Sequence, residues 1–164
     1  MAARSKHSRT DEVVERIAVL LEADGMPRVA GRLFGLLLLS AEPLSLDALA
    51  SQLGVSKASI SVNARMLEDK GVVERVGRQA DRRDYYRIAD DILERTLEQR
   101  IARIRRFNQA ITVARAACAT EHDIVCARLE NMERAHNHLI EVTERALDEW
   151  RTRRASTPSP SRAR

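Results

Sequence analysis

Apolar residues recur at helical spacing over most of this chain. Behind Thr10, which can cap a helix with Asp11 and Glu12 in its first turn, Val13, Ile17 and Leu20 alternate with Val14, Ala18 and Leu21, and Gly25 ends the run. Pro27 can open a second helix, apolar on all sides from Val29 through Leu39 and therefore expected to be central and buried. Within it Gly31 and Gly35, four apart, predict a face that another backbone approaches closely. Glu42-Pro43-Leu44-Ser45 interrupts the pattern. Ser45 then caps a short helix, Leu46 to Leu53, stopped by Gly54, and Ser56 caps another, Lys57 to Lys70, stopped by Gly71. With Leu49, Ala50, Leu53, Val55, Ile60 and Leu67 at the packing positions and Gly54 in the tight turn, the spacing is that of a helix-turn-helix.

The period then changes from helix to strand. Val72 to Gly77 and Asp84 to Ile88 are β-rich and flank Arg78-Gln79-Ala80-Asp81-Arg82-Arg83, which predicts a two-stranded hairpin with a charged tip. A helix-turn-helix followed by such a hairpin is a winged helix. Beyond it run two long seams with steps of four and three: Leu93, Leu97, Arg100, Ile104, Phe107, Ile111, Ala114, Cys118, and then Val125, Leu129, Met132, His136, Leu139, Thr143, Ala146, Trp150. Thr120, with Asp123 three residues on, reads as the cap that restarts the helix between them. Two helices of roughly 40 Å cannot bury both seams against so small a winged domain, so they are expected to pack on each other and on a second chain. The expected organisation is a flexible basic arm at 1–9, a winged helix-turn-helix domain at 10–89, a helical dimerisation region at 90–154 and a disordered basic tail at 155–164. The fold class is mainly α, with a two-stranded β-wing and long C-terminal dimerisation helices.

Composition agrees with a helical reading. Among 164 residues, 44% are hydrophobic and only 3% aromatic, with Gly 6 and Pro 4, too few turn-formers for a sandwich or barrel. The net charge of +4 conceals an uneven layout: both ends are basic, and the body from Thr10 to Trp150 is net −4. One internal window, Val55 to Ile88, reverses that sign to +3, the footprint expected of polyanion binding. The opening MAARSKHSRT lacks an apolar leader segment, and Leu33 to Leu39 is far short of the ~20 residues that span a bilayer, so a cytoplasmic protein without a membrane partner is expected.

Enzymatic motifs are missing from the sequence: no phosphate-cradling glycine loop, no Gly-x-Ser-x-Gly, no His-Glu-x-x-His. No catalytic residues and no cofactor are expected. His7 lies in a tail, His136 in an apolar seam where a hydrogen-bonded core histidine is expected, and His138 elsewhere in solvent. Cys118, His122 and Cys126 are spaced four and four, which on an unbroken helix would align three zinc-type ligands. The cap at Thr120 breaks that register, so the cysteines are read as structural, with no metal.

At Asp81-Arg82-Arg83 the wing resembles that of MarR-type winged-helix transcriptional regulators, whose wing carries an Asp-x-Arg motif. Gly25-Met26-Pro27-Arg28-Val29-Ala30-Gly31-Arg32, Ser56-Lys57-Ala58-Ser59-Ile60-Ser61 and Arg83-Asp84-Tyr85-Tyr86 narrow the resemblance to the GbsR-like branch, over about Val13 to Ile88. Many MarR-type wings end in Leu-Thr, whereas this strand runs Tyr86-Arg87-Ile88-Ala89, which also favours that branch. The resemblance implies a homodimer that represses or tunes transcription at a palindromic operator in double-stranded DNA, with a cleft for a small-molecule effector near the dimer helices. Members of the branch are associated with osmoprotectant uptake and synthesis.

Side-chain roles follow from the helical wheel. With Ile60, Ala64 and Leu67 facing the core, Ala58, Ser61, Val62 and Arg65 face outward, with Lys57 and Ser59 at the flanks. Arg65 can pair with guanine, Val62 can touch a thymine methyl, and the small Ser59 and Ser61 let the helix approach the groove; Lys57 is expected on phosphate. At the wing tip Arg78, Arg82 and Arg83 are the expected DNA contacts. By the resemblance, Arg83 enters the minor groove while Asp81 orients it. The competing reading is a dimeric helical adaptor whose winged helix binds protein.

Overall fold

The computed structural model describes residues 2–78, 81–118 and 123–156. They form two compact units that divide after Ile92.

In the first unit, α1 (Ala2–Ala23) packs along α2 (Arg28–Leu38). α1 begins well ahead of the expected cap at Thr10, so the 1–9 stretch is helical from Ala2; it holds neither Gly nor Pro, and Ala, Arg and Lys are good helix formers. The glycine pair does what its spacing predicts. A Cβ on Gly31 would stand 2.8 Å from the Cα of Ala18, and one on Gly35 would stand 3.2 Å from the Cα of Val14. The two helices are therefore in backbone contact. Ion pairs fasten the same seam, with Arg28 reaching Glu15 at 2.9 Å and Glu22 at 2.7 Å, and Arg32 reaching Glu15 at 2.5 Å.

Pro27 is the residue before α2, not its first, and Leu38 and Leu39 at its far end are exposed, so the helix is buried along most of its length only. β1 (Leu44–Ser45), α3 (Leu46–Leu53), α4 (Lys57–Asp69), β2 (Val73–Arg78) and β3 (Asp81–Ile88) follow. The sheet has three strands, in the order β1-β3-β2 and antiparallel throughout, where a two-stranded wing was expected. Leu44 pairs with Tyr86 and Ser45 with Tyr85; two residues after Pro43 are too few to show a period in sequence. The strands also extend into the expected tip: β3 starts at Asp81, and the pair Arg78 and Asp81 closes the ladder past an irregularity between Val76 and Arg78, where Gly77 stands. Gln79 and Ala80 lie outside the described residues. Leu33, Leu49, Ile60, Leu67 and Val73 form the heart of the core and are almost fully buried.

The second unit is an antiparallel helical hairpin, α5 (Ile92–Ala117) and α6 (Asp123–Ser156). Leu97, Ile101 and Ile104 pack against Ile140 and Leu147. Polar rungs continue the seam: Asn108 donates to Asn137 at 2.7 Å, Thr112 to Glu133 at 2.6 Å, and Arg154 pairs with Glu94 at 2.7 Å. Arg105 with Glu144, and Arg151 with Glu98, add two more.

Only part of each expected seam faces the partner helix. Along α6 the inward positions are Cys126, Leu129, Glu133, His136, Ile140, Thr143 and Leu147, whereas Val125, Met132, Leu139, Ala146 and Trp150 are exposed. Along α5, Leu93, Arg100, Phe107 and Ala114 are exposed. Every second position of the α6 seam gives way to the residue after it, Cys126, Glu133, Ile140 and Leu147 replacing Val125, Met132, Leu139 and Ala146, and Glu133 is held there by Thr112 and by Arg115 at 3.1 Å. His136 lies edge-on to Phe107, ring centroids 5.4 Å apart, and its Nδ1 is buried without a hydrogen bond among the described residues, contrary to the expected bonded histidine. α6 continues to Ser156, past the expected start of the tail, while Thr120, His122 and residues 157–164 lie outside the described residues. Among the described residues no helix is long and apolar enough to cross a membrane.

Candidate nucleic-acid interface

Local capping builds the helix-turn-helix. The Ser45 hydroxyl accepts from the Ala48 N–H and the Ser56 hydroxyl from the Ser59 N–H, both at 3.2 Å, so each helix starts where its cap dictates. Between them Gly54 adopts φ +65°, a left-handed conformation that glycine takes without steric cost, and Val55 donates back to the Ala50 carbonyl at 3.1 Å. Burial of Ile60, Ala64 and Leu67 then fixes which side of α4 faces outward.

That outer side carries the expected residues. Lys57, Ala58, Val62 and Arg65 are exposed, and Ser59 and Ser61 are half-buried at its margins. Val62 is 68% exposed, an isolated apolar side chain on a polar surface. Arg65 makes no ion pair among the described residues. Lys57 differs from expectation, since its Nζ lies 2.6 Å from Asp47 Oδ1 in the first turn of α3 and a phosphate must compete with that carboxylate.

The wing supplies a second group. Strand alternation puts Asp81, Arg83 and Tyr85 on one face of β3. Asp81 accepts from the Arg83 backbone N–H at 2.9 Å, from Nε of Arg83 at 3.0 Å, from its Nη2 at 2.6 Å and from the Tyr85 hydroxyl at 2.8 Å. These bonds, the Arg83 guanidinium first among them, hold the Asp81 carboxyl far below the ordinary carboxylate range. The same carboxylate raises Arg83 further, and the charge of Asp47 adds to that effect. The Arg83 guanidinium carbon also lies 5.8 Å from the centre of the Tyr85 ring, and that ring is buried. Arg83 is thus oriented by a chain of contacts that ends in the core, yet its side chain is 61% exposed. Arg82, on the opposite face, is exposed and makes no ion pair among the described residues. Arg78 ends β2 opposite Asp81.

Not every cation of the basic window is available to a polyanion. Arg75 faces Asp84 at 3.4 Å and Arg87 faces Glu74 at 3.1 Å. Two participants escaped the sequence reading. Asp47 looks like an ordinary helix-start acid, and Tyr85 like an ordinary strand aromatic; only the spacing of Asp81, Arg83 and Tyr85 at alternate residues could have signalled the second.

The Cys118 and Cys126 thiols are both half-buried, and among the described residues no group of three or more His, Cys, Asp or Glu could hold a metal ion.

Comparison with known proteins bears on the same elements. A sequence profile of the MarR family matches residues 24–84, from the turn before α2 into β3. The chain is 31% identical over 143 residues to the HTH-type transcriptional regulator MmpR5 of Mycobacterium tuberculosis, covering 87% of each protein. It is 30% identical over 81 residues to the HTH-type transcriptional repressor OpcR of Bacillus subtilis, covering 49% of this chain and 44% of OpcR. A crystal structure of a transcriptional regulator superposes with TM-score 0.77 at 30% identity, covering 88% of this chain and 99% of that one. With likeness to MmpR5 along most of its length and the family profile lying across helix-turn-helix and wing, this chain belongs to the MarR family of winged-helix, DNA-binding transcriptional regulators.

Proposed function

We propose that this protein is a cytoplasmic, non-enzymatic repressor of the GbsR-like branch, acting as a homodimer on a palindromic operator. α4 enters the major groove, where Arg65 and Val62 read base edges and Ser59 and Ser61 allow close approach. Arg83 reaches the adjacent minor groove, and Lys57, Arg78 and Arg82 hold phosphates. The observation that carries this reading is the tethered Arg83, a cation displayed to solvent while its orientation is set by Asp81 and the buried Tyr85. Likeness to OpcR, a repressor by its name, supports the sign of regulation, and the wing sequence Arg83-Asp84-Tyr85-Tyr86 supports the branch.

A groove of ≈ 590 Å³ along the hairpin, where Val113 and Ile140 lie among polar side chains such as Arg105, Asn108, Asn137 and Glu141, is the candidate seat for a small-molecule effector. The test of the DNA reading is an anisotropy titration against genomic fragments at two salt concentrations. Repressor binding should be specific for one fragment and weaken steeply with salt, as released counterions require. Protein-only binding with no salt-dependent DNA affinity overturns it in favour of an adaptor.

A further inference from the structure

We propose that Cys118 and Cys126 are a thiol–disulfide modification site, joining the end of α5 to the first turn of α6 when a low-molecular-weight disulfide oxidises them. The sulfur of Cys126 lies 2.9 Å from the carbonyl oxygen of Cys118 and donates a hydrogen bond to it. Carbonyl and Cα–C bond lengths then keep that sulfur within about 5.7 Å of the Cys118 Cα, whatever the angles. The bridge then requires rotation about the two Cα–Cβ bonds to bring the sulfurs to bonding distance, about 2.05 Å. Both residues are half-buried, so each thiol keeps partial access to solvent, which exchange with a dissolved disulfide requires.

The chemistry balances by exchange. One cysteine thiolate attacks a sulfur of the small disulfide, whose S–S bond breaks to release one thiol and leave a mixed disulfide on the protein. The second thiolate attacks the protein sulfur of that mixed disulfide. The mixed S–S bond breaks, the Cys118–Cys126 bond forms and a second small thiol departs; the two cysteine protons end on the two released thiols, and the small disulfide gains the two electrons that the cysteines lose. The product fixes the register of the helix ends beside Ile124 and Val125, both exposed apolar residues of α6.

Full-length protein is equilibrated with mixtures of reduced and oxidised glutathione, acid-quenched and weighed by mass spectrometry. The expected product is a monomeric chain about 2 Da lighter, mapped to a Cys118–Cys126 peptide and restored by dithiothreitol. Because proximity along the chain alone would yield some of it, the equilibrium is repeated in urea. A pair held by the fold should show an effective concentration at least about tenfold higher in buffer than in urea. Cys118→Ser and Cys126→Ser should each stop at the glutathione adduct. An effective concentration no higher in buffer than in urea, a wild-type adduct that never resolves, or cross-linking between chains would overturn the proposal.

Discussion

Arg83 combines exposure with a fixed direction, and the two properties have separable origins. Its charge is its own, while its direction comes from Asp81, which is in turn held by the Tyr85 hydroxyl. Arg83→Ala should therefore weaken operator and random DNA almost equally and flatten the salt slope by about 0.9 per lost phosphate contact. Tyr85→Phe keeps the charge and the buried ring but removes the hydroxyl that ties Asp81 to that ring, so it should lower operator affinity with no change in slope. Anisotropy titrations over a salt series separate the two outcomes, and equal slopes for wild type and Arg83→Ala would remove this arginine from the interface. Arg65→Ala or Val62→Ala should instead relax base preference at one or two positions per half-site, at about 1 to 3 kcal/mol per lost good contact. Selection from a randomised library checks this, and an unchanged motif in both variants counts against base readout. Asp47 opposes the same DNA, since it pairs with Lys57 at 2.6 Å and its field also acts on Arg83. Asp47→Asn should release one cation, tighten non-specific binding and steepen the salt slope by up to about 0.9. A slope that stays the same would mean that Lys57 does not meet phosphate.

At the scale of elements, the α1–α2 seam joins backbone contact at Gly31 to charge pairing at Glu15. The Arg28 hydrogen bond, outweighing partial burial and helped by the charge of Arg32, holds the Glu15 carboxyl below its ordinary value. A folded-state value depressed in this way contributes stability above the unfolded carboxylate range, about 4.3, and loses that contribution as pH falls through the lower folded value. Both partners are substantially exposed, so Glu15→Gln should lower the melting temperature by no more than about 3 °C at neutral pH, with the difference vanishing in acid. Thermal scans at neutral and acidic pH read it directly; a difference that grows on acidification contradicts the assignment. The helix-turn-helix was legible in sequence because its determinants are local: Ser45 and Ser56 cap, Gly54 turns, and Ile60 and Leu67 mark one face. β1 was not legible, since two residues carry no period and its partners Tyr85 and Tyr86 are distant in sequence. In the hairpin the repeat itself was legible but its orientation was not. Apolar positions such as Met132 and Leu139 satisfy a heptad as well as Ile140 and Leu147 do, and the bond from Thr112 to Glu133, which favours the row that turns toward α5, is not visible in an apolar pattern.

The row that turned away matters for the whole molecule. Leu93 and Phe107 on α5, and Val125, Met132, Leu139 and Trp150 on α6, are all exposed. Those on α5 and most of those on α6 stand one residue before an inward-facing position. Because the helices are antiparallel, a one-residue step backward on each rotates to the same side of the hairpin, so the two rows form one apolar strip. The opposite side presents Arg105, Gln109, Thr112, Asn137 and Glu141. A strip of that kind is unusual on a monomer and suits a two-fold axis, across which the same patch from two chains covers itself. A dimer in turn doubles the α4 and wing contacts and ties them to an operator with two half-sites. Sedimentation should show full-length protein as a dimer at micromolar concentration, and Met132→Glu with Leu139→Glu should yield a monomer with unchanged helix content, because neither side chain belongs to the packed seam. That monomer should lose operator affinity by a factor of a hundred or more, about 3 kcal/mol, since one half-site must then be bound without the other. A wild-type chain that sediments as a monomer, or a double-glutamate variant that still dimerises, would show that this strip is not the surface through which the two copies meet.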